Sequence, residues 1–221
     1  MKKKVKIDTI IFDFDSTVLR GELLEILADF RLRNHPEREM ILDKVRTITN
    51  LGMEGKIDFE DSLSRRLNIL NLDESVIEDS RESVRSMING EYFDLLPKIK
   101  DKKTYIISGG YKNVIDPLSE ELEVATRDIY AINLIFKNGN FSHFDKSSPL
   151  IKSDGKACVA NSIKNKGKVL MVGDGMTDYK VKELGGADYF AAYTGVVERE
   201  PVVKCADFVL HDLRDLLNFI Y

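Results

Sequence analysis

The stretch IDTIIFDFDSTV, residues 7–18, joins an apolar run to a pair of acidic residues. The run from Ile7 to Phe14 is rich in β-branched and aromatic residues, which is typical of a buried parallel strand. Asp13 and Asp15 stand at its end, and side chains two residues apart in an extended chain point to the same side. The stretch therefore predicts a first strand that brings two carboxylates to the ligand-binding edge of an α/β sheet.

The rest of the chain divides into a helical part and an alternating part. Between Gly21 and Asn89 the apolar residues recur at helical spacing, and Pro36, Asp58 and Asp73 mark expected helix starts. After Asn89, strand-like and helix-like segments alternate, which indicates a mostly parallel sheet with helices on both faces. The further expected strands of this sheet are Thr104–Ser108, Ile129–Phe136, Lys168–Val172, Tyr189–Tyr193 and Phe208–Leu210.

Turn residues refine this organisation. Asn138-Gly139 predicts a hairpin whose second strand is Phe141–Phe144, and Pro117 is expected to break or kink the helix after Gly110. The helical part contains no strand that could join the sheet. We therefore predict an α/β, Rossmann-like core domain formed by residues 1–18 and 91–221, with a small helical cap domain, residues 19–90, inserted after the first strand. The expected core helices are Tyr111–Leu122, Lys156–Lys166 and Thr177–Leu184.

The pair Asp13 and Asp15 has two interpretations. Crowded carboxylates repel each other unless a cation lies between them or one of them holds a proton, and Mg²⁺ is an ordinary partner for such oxygen ligands. Asp-x-Asp alone is equally typical of a turn that exposes two acids. The other motifs of the chain have to decide between these interpretations.

Three more motifs stand at strand ends or helix starts. Gly173-Asp174-Gly175-Met176-Thr177-Asp178 follows an apolar strand, so that Asp174 and Asp178 could both approach a metal. Ser108-Gly109-Gly110 offers a hydroxyl and glycine N–H groups ahead of a helix, which suits a phosphate. Lys156 begins a helical stretch. Each motif alone is weak, but four of them at one edge of one sheet predict a single site.

Composition argues against several classes of protein. With 33 Lys and Arg against 37 Asp and Glu, the net charge of −4 gives no basic surface for nucleic acid. The longest apolar run, Tyr189–Tyr193, is far shorter than the roughly 18 residues of a membrane helix. Lys2–Lys4 are followed by acidic residues instead of a signal-peptide core, and Cys158 and Cys205 indicate reduced thiols. We expect a cytoplasmic protein that binds neither nucleic acid nor membrane.

In this order, the motifs resemble those of the haloacid dehalogenase-like phosphohydrolases over nearly the whole chain. Residues 12–18, 108–111 and 173–178, together with the helical insertion, are similar to the phosphoserine phosphatases within that superfamily. So is the stretch 52–59 that leads to 62–67. This last stretch is the more discriminating one, because the strand-end motifs are shared by enzymes with many substrates.

The resemblance implies a mechanism and a ligand set. Asp13 would attack phosphorus to form an aspartyl-phosphate, while Asp15 would act first as an acid and then as a base. The residues implied to converge on the phosphoryl oxygens are Ser108, Gly109 and Lys156, and Gly110 and Thr177 are further implied substrate-binding residues. The implied Mg²⁺ ligands are Asp13, the main-chain carbonyl of Asp15, Asp174 and, in support, Asp178.

For the amino-acid part of the substrate, the resemblance implies four further residues. Glu22 would lie near the ammonium and Arg66 near the carboxylate, because an acid suits an ammonium and the planar arginine fork suits a carboxylate. Met53 and Phe59 would form apolar walls. Without the resemblance, Glu22 and Arg66 would be interpreted as ordinary charges on helix surfaces.

The resemblance thus implies a Mg²⁺-dependent phosphomonoesterase that hydrolyses O-phospho-L-serine, and we expect a monomer or homodimer. One alternative keeps this chemistry with another small phosphomonoester, or transfers the phosphoryl group to an alcohol. A second alternative is a receiver-like phospho-aspartate switch, although that fold is much shorter and has no helical insertion. The connection between Leu96 and Tyr105 is too short for the long helix that the family usually places there, which bears on the substrate.

Overall fold

The computed structural model describes residues 4–53 and 56–221 and contains a parallel sheet and a two-stranded hairpin. The strands are β1 (Thr9–Phe12), β2 (Lys103–Tyr111), β3 (Ile129–Ile132), β4 (Leu134–Lys137), β5 (Asn140–Phe144), β6 (Val169–Gly173), β7 (Tyr189–Tyr193) and β8 (Phe208–Leu210). Six of them form one sheet in the order β3-β2-β1-β6-β7-β8, and every neighbouring pair is parallel. The predicted α/β fold class is confirmed.

Helices divide between an insert after β1 and the connections of the sheet. The helical insert, residues 23–86, contains α1 (Leu23–Leu32), α2 (Arg38–Met53), α3 (Phe59–Leu70) and α4 (Glu74–Ser86). The connections contain α5 (Gly90–Leu95), α6 (Lys112–Ile115), α7 (Gly155–Ser162), α8 (Met176–Glu183) and α9 (Glu200–Cys205). Short 3₁₀ segments lie at Leu96–Lys98, Asp116–Leu118, Thr126–Asp128, Pro149–Ile151 and Leu213–Asn218.

Strand β1 lies in the middle of the sheet and is buried along its whole length. Phe12 pairs with Ile106 of β2 on one side and with Val172 of β6 on the other. A strand covered on both faces has to be apolar throughout, which explains the β-branched run that precedes Asp13. Because all three strands are parallel, their carboxyl ends meet at the same edge.

The helical insert is joined to the core at two places. Where the chain enters and leaves the insert, Leu19 and Ile88 form an antiparallel bridge. At the far end, the turn between α3 and α4 meets the β4–β5 hairpin, where the amide of Glu74 donates to the Gly139 carbonyl at 2.9 Å. The Phe141 amide donates to the Leu72 carbonyl, also at 2.9 Å. Backbone pairing therefore joins the insert to the core at its hinge and at the hairpin tip, in addition to the side-chain contacts near the carboxyl ends of β1 and β2.

Two sequence predictions about the elements are wrong. The expected single strand Ile129–Phe136 is two strands, β3 and β4, because Asn113 donates to the Leu134 carbonyl and accepts from the Leu134 amide. These bonds occupy the backbone groups that a continuing ladder would need. Pro36 lies in a turn two residues before α2 begins, instead of at its first position.

Other predictions about the elements are confirmed. The Asn138-Gly139 hairpin forms, with Asn138 and Gly139 both at positive φ as its tight turn requires. The helix after β2 changes to a 3₁₀ turn at Pro117, whose ring lacks the amide hydrogen for an α-helical bond. In residues 4–53 and 56–221, no helix has the length and apolar character needed to cross a membrane.

Thr17, in the turn after β1, carries a buried hydroxyl that has no hydrogen-bond partner. Its replacement tests how this turn is packed. An unpaired buried hydroxyl costs stability, so Thr17→Val should raise the free energy of unfolding by about 1 kcal/mol. The matched control is Thr9→Val, since Thr9 is equally buried but its hydroxyl donates to the Lys166 carbonyl at 2.5 Å. In the Thr9→Val variant the free energy of unfolding should fall by about 1–2 kcal/mol. Urea unfolding measures both, and a loss of stability in Thr17→Val would contradict the expectation.

Candidate active site

Three buried aspartates form a cluster at the carboxyl edge of the sheet. Asp13 follows β1, Asp174 follows β6, and Asp178 stands in the first turn of α8. One carboxylate oxygen of each lies within 4.8 Å of those of the other two. The ammonium of Lys156 lies 2.6 Å from Asp13 Oδ1 and 2.7 Å from Asp178 Oδ1, so it joins two of the three acids. We call the three aspartates, Asp13, Asp174 and Asp178, the acidic cluster.

The loop after β6 holds Asp178 in place. Its Oδ2 accepts a hydrogen bond from the Gly175 amide at 2.9 Å, which caps the start of α8. A Cβ on Gly173 would lie 2.4 Å from the Asp178 carboxylate carbon, closer than two such atoms can approach. Glycine at 173 is therefore needed for Asp178 to reach the cluster.

In the tight turn after β1, Asp13 and Asp15 accept hydrogen bonds from different parts of the chain. Asp13 Oδ1 accepts from the Phe14 amide at 2.7 Å, while Asp15 Oδ1 accepts from the Leu23 amide at 2.7 Å at the start of α1. Ser16 adopts a left-handed φ of 53° that turns the chain between them. Asp15 thus lies beside the acidic cluster and is joined by its hydrogen bond to the helical insert.

The carboxyl end of β2, residues 108–110, faces both the acids and the insert. It carries Gly109 and Gly110, and we call it the glycine loop. Ser108 is fully buried, and its Oγ accepts from the Gly110 amide at 2.8 Å. A Cβ on Gly110 would lie 3.0 Å from Asp15 Oδ2, and one on Gly109 would lie 3.8 Å from the ring of Phe59. The beginning of α3 therefore covers the glycine loop.

The remaining predicted residues lie on the insert or at its edge. Glu22 is exposed and accepts from the Ser16 hydroxyl at 2.7 Å. Arg66 is half-buried and donates within the insert, to the Ser62 carbonyl at 3.2 Å and the Thr49 hydroxyl at 3.5 Å. Thr177 is half-buried in the first turn of α8. The Met53 side chain, predicted as an apolar wall, lies outside the described residues.

Comparison with known proteins decides the family. Residues 7–181 match the haloacid dehalogenase-like hydrolases. The chain belongs to this family.

Relatives of this haloacid dehalogenase-like hydrolase extend the match to the whole chain. The chloroplastic phosphoserine phosphatase of Arabidopsis thaliana is 32% identical, over 96% of this chain and 71% of that protein. The phosphoserine phosphatase of Bos taurus is 30% identical, over 96% of this chain and 92% of that protein. A phosphoserine phosphohydrolase-like protein from Francisella tularensis has a TM-score of 0.83 at 32% identity, covering 97% of this chain and 99% of that one. The hydrolase is a phosphoric monoester hydrolase.

The acidic cluster of the hydrolase fits a divalent cation. Among residues 4–53 and 56–221, two cationic side chains pair with its three carboxylates: Lys156, and Arg199, which pairs with Asp174. Buried carboxylates need a compensating charge, and hard oxygen ligands suit Mg²⁺. Asp13, Asp174 and Asp178 are the residues that would hold it.

Burial and crowding raise the pKa of both Asp13 and Asp15. Burial, helped by the charge of Asp178 and opposed by Lys156, raises the pKa of Asp13 to about 7 in the metal-free protein. Burial and the charges of Glu22 and Asp13 raise the pKa of Asp15 well above its ordinary value. This shift favours the protonated form of Asp15. Burial alone would lower the pKa of Lys156, but Asp13 and Asp178 raise it above its ordinary value, so Lys156 stays charged.

Arg199 is a site residue that the motifs do not reveal. It precedes α9, and its guanidinium donates to the Asp174 side chain and, at 3.5 Å, to the Asp174 carbonyl. Its position in the loop after β7 could have suggested a place near the site, because that strand ends at the same edge of the sheet as β1 and β6. A lone arginine in a loop gives no indication of its partner, so only the folded chain identifies it.

Gly173→Ala tests the close approach of Asp178. The added methyl should displace the Asp178 carboxylate and lower Mg²⁺ affinity about 10- to 100-fold, as changes beside metal ligands commonly do. The rise in melting temperature that Mg²⁺ produces should shrink accordingly. The matched control is Gly90→Ala, because a Cβ there meets no atom within 4 Å. Equal Mg²⁺ affinity in both folded variants, measured by calorimetry, would contradict this account of Gly173.

Proposed function

We propose that this hydrolase releases phosphate and L-serine from O-phospho-L-serine through an aspartyl-phosphate on Asp13, with Mg²⁺ as cofactor. The names of its relatives support the substrate, because the two curated ones reported above are phosphoserine phosphatases. The geometry supports the reaction, because Asp13 and Asp15 lie at the same edge of the sheet as Ser108 and Lys156. We further propose that residues 19–90 form a cap domain that closes over the substrate.

The observation that carries the substrate assignment is Arg66. In the described part of the chain this half-buried guanidinium contacts no carboxylate, so its charge is available to a ligand anion. Phe59 and Arg66 are seven residues apart on α3 and share a face, and Phe59 lies over the glycine loop. Arg66 therefore faces the space above the phosphate-binding loop, where the planar fork suits a substrate carboxylate. Glu22, exposed at the start of α1, suits the ammonium.

In the first step, Asp13 forms a bond to phosphorus while the bond from phosphorus to the serine oxygen breaks. The proton on Asp15 passes to that oxygen, so neutral serine hydroxyl leaves. Lys156 and the amides of the glycine loop stabilise the charge on the phosphoryl oxygens. Bound Mg²⁺ supplies further positive charge, which reduces the repulsion between Asp13 and the phosphate.

In the second step, the ionised Asp15 removes a proton from water. The water oxygen bonds to phosphorus as the bond between phosphorus and Asp13 breaks, which releases phosphate and restores both acids. One carboxylate thus serves as acid and then as base. The raised pKa of Asp15 suits this exchange, because it favours a carboxyl group that first holds a proton and later takes one back.

A panel of phosphomonoesters tests the proposal directly. Phosphate release should be fastest with phosphoserine, should require Mg²⁺ and should stop on chelation. The Asp13→Asn protein, which keeps the shape but loses the nucleophile, should fold and show no turnover. Preference for another monoester would overturn the substrate, transfer to an added alcohol would indicate a phosphotransferase, and a stable phosphoprotein without turnover would indicate a switch.

Asp15→Asn should separate the two chemical steps. Without the acid, phosphorylation of the enzyme by phosphoserine should slow by about 10²- to 10⁴-fold. With p-nitrophenyl phosphate, whose leaving group needs no proton, a stoichiometric burst of p-nitrophenolate should persist before slow hydrolysis. Rapid-quench and stopped-flow kinetics measure these rates. If phosphorylation by both substrates slows equally, Asp15 does not protonate the leaving group.

Arg66→Ala should affect only substrates that carry a carboxylate. The lost contact, a hydrogen bond to a charged group, corresponds to about 1.5–3 kcal/mol, so kcat/KM for phosphoserine should fall roughly 10- to 150-fold. Hydrolysis of p-nitrophenyl phosphate should change little. Arg66→Lys should recover only part of the loss, because an ammonium cannot reproduce the fork. Arg65→Ala is the matched control, since Arg65 is exposed and pairs with Asp61. Equal losses for both substrates would assign Arg66 a structural role.

A further inference from the structure

Tyr111 ends β2, directly after the glycine loop, and the mechanism above gives it no role. Its side chain is 2% exposed, so it is buried at the boundary between the sheet and the helical insert. Two observations indicate where this side chain points. One is the alternation of side chains along β2, and the other is the set of charges that act on its hydroxyl.

Alternation places Tyr111 on the side of β2 that faces α3. A Cβ on Gly110 would point toward Asp15, whereas one on Gly109 would point toward Phe59 of α3. The register between β2 and β3 shifts between Ile107 and Tyr111, but Tyr111 itself is extended and a Cβ on Gly110 would meet Ser108 Oγ, so side chains still alternate here. Tyr111, two residues beyond Gly109, therefore shares the side that faces α3. Arg66 lies on the same face of α3 as Phe59. Tyr111 and Arg66 therefore border the same space from opposite sides.

The electrostatic environment of the Tyr111 hydroxyl agrees with this placement. Burial raises its pKa, and three charged groups act on it: Arg66, then Asp15 and Glu22. These are the residues that the proposed function places around the substrate. Of the three, Arg66 acts most strongly on the hydroxyl, so Tyr111 is a neutral donor beside a cationic group.

The hydroxyl has no hydrogen-bond partner in the described part of the chain. Two other buried tyrosines, Tyr92 and Tyr193, do have one: Tyr92 donates to the Leu122 carbonyl at 2.9 Å, and Tyr193 to Glu91 Oε2 at 2.9 Å. Among residues 4–53 and 56–221, one polar side-chain atom is both fully covered and without a hydrogen-bond partner, and it is the hydroxyl oxygen of Thr17. The hydroxyl of Tyr111 is thus not sealed in the core, although its ring is. It opens into a space from which a ligand could accept its proton.

We propose that Tyr111 donates a hydrogen bond to the carboxylate of an amino-acid phosphomonoester, beside Arg66. This inference rests on the proposed function and adds a specificity-determining residue to it. A neutral phenol and a guanidinium together satisfy a carboxylate without adding a second charge to the pocket. The Arg66 fork alone leaves part of the acceptor capacity of the carboxylate unused, and Tyr111 uses it.

Tyr111→Phe tests this role by removing one oxygen atom. Phosphoserine should be compared with phosphoethanolamine, which has the same phosphate and ammonium but no carboxylate. The variant should lose about 10-fold or more in kcat/KM for phosphoserine, mainly through KM, and little for phosphoethanolamine. The matched control is Tyr105→Phe, because Tyr105 is a buried tyrosine nearer the start of the same strand, with its ring centroid 6.5 Å from that of Tyr130. That variant should retain wild-type values with both substrates.

Each other outcome identifies what has failed. Wild-type protein that does not hydrolyse phosphoserine overturns the proposed function and this inference with it. Wild-type protein that hydrolyses it, with Tyr111→Phe unchanged, overturns the inference alone. Equal losses for both substrates, or a lower melting temperature with the same KM, assign Tyr111 a structural role and also overturn it. A Tyr111→Phe/Arg66→Ala double variant should lose less than the sum of the single losses, because both contacts serve one carboxylate.

Discussion

Repulsion among the buried carboxylates is the constraint around which the site is built. Two unit charges about 4 Å apart repel by about 4 kcal/mol at an effective dielectric constant of about 20, and the acidic cluster holds three acids within 4.8 Å. Lys156 offsets part of this by touching Asp13 and Asp178 at once. The fold offsets the rest, because β1, β6 and the first turn of α8 hold the three acids close together whether or not their charges favour it.

This constraint also bears on Asp15, the acid of the mechanism we propose, which lies beside the acidic cluster and not within it. Asp15 is turned away from Asp13 by the left-handed Ser16 and is anchored at the start of α1. Burial and the charges of Glu22 and Asp13 raise the pKa of Asp15 and outweigh the charge of Lys156, whereas Lys156 contacts Asp13 directly and opposes the rise in the pKa of that acid. Two aspartates two residues apart thus have different surroundings, which suit the different roles that we propose for them.

Much of the fold could be predicted from local sequence patterns. The apolar runs at Tyr189–Tyr193 and Phe208–Leu210 match their strands residue for residue, because a strand buried on both faces has few alternatives. The run Ile129–Phe136 misleads, since its division depends on Asn113, a residue far away in the chain. Local spacing carries no information about such a partner.

The site divides in the same way. Asp13, Asp174 and Asp178 could be predicted because they stand in motifs at strand ends, and parallel strands bring those ends together. Arg199 and Tyr111 could not, because their importance lies in what they meet across the fold. Arg199 meets Asp174 from a neighbouring loop, and Tyr111 borders Arg66 across the boundary with the insert.

The bonds between the insert and the β4–β5 hairpin contribute to the energy of the cap movement that we propose. Rotation of the insert about the Leu19–Ile88 hinge, with the hairpin left in place, would exchange two backbone hydrogen bonds for bonds to water. At about 0.5–1.5 kcal/mol each, these two bonds favour the closed arrangement by about 5- to 150-fold. A contribution of that size would help to keep bulk water away during chemistry, yet it is small enough for the cap to open and release products without an external source of energy.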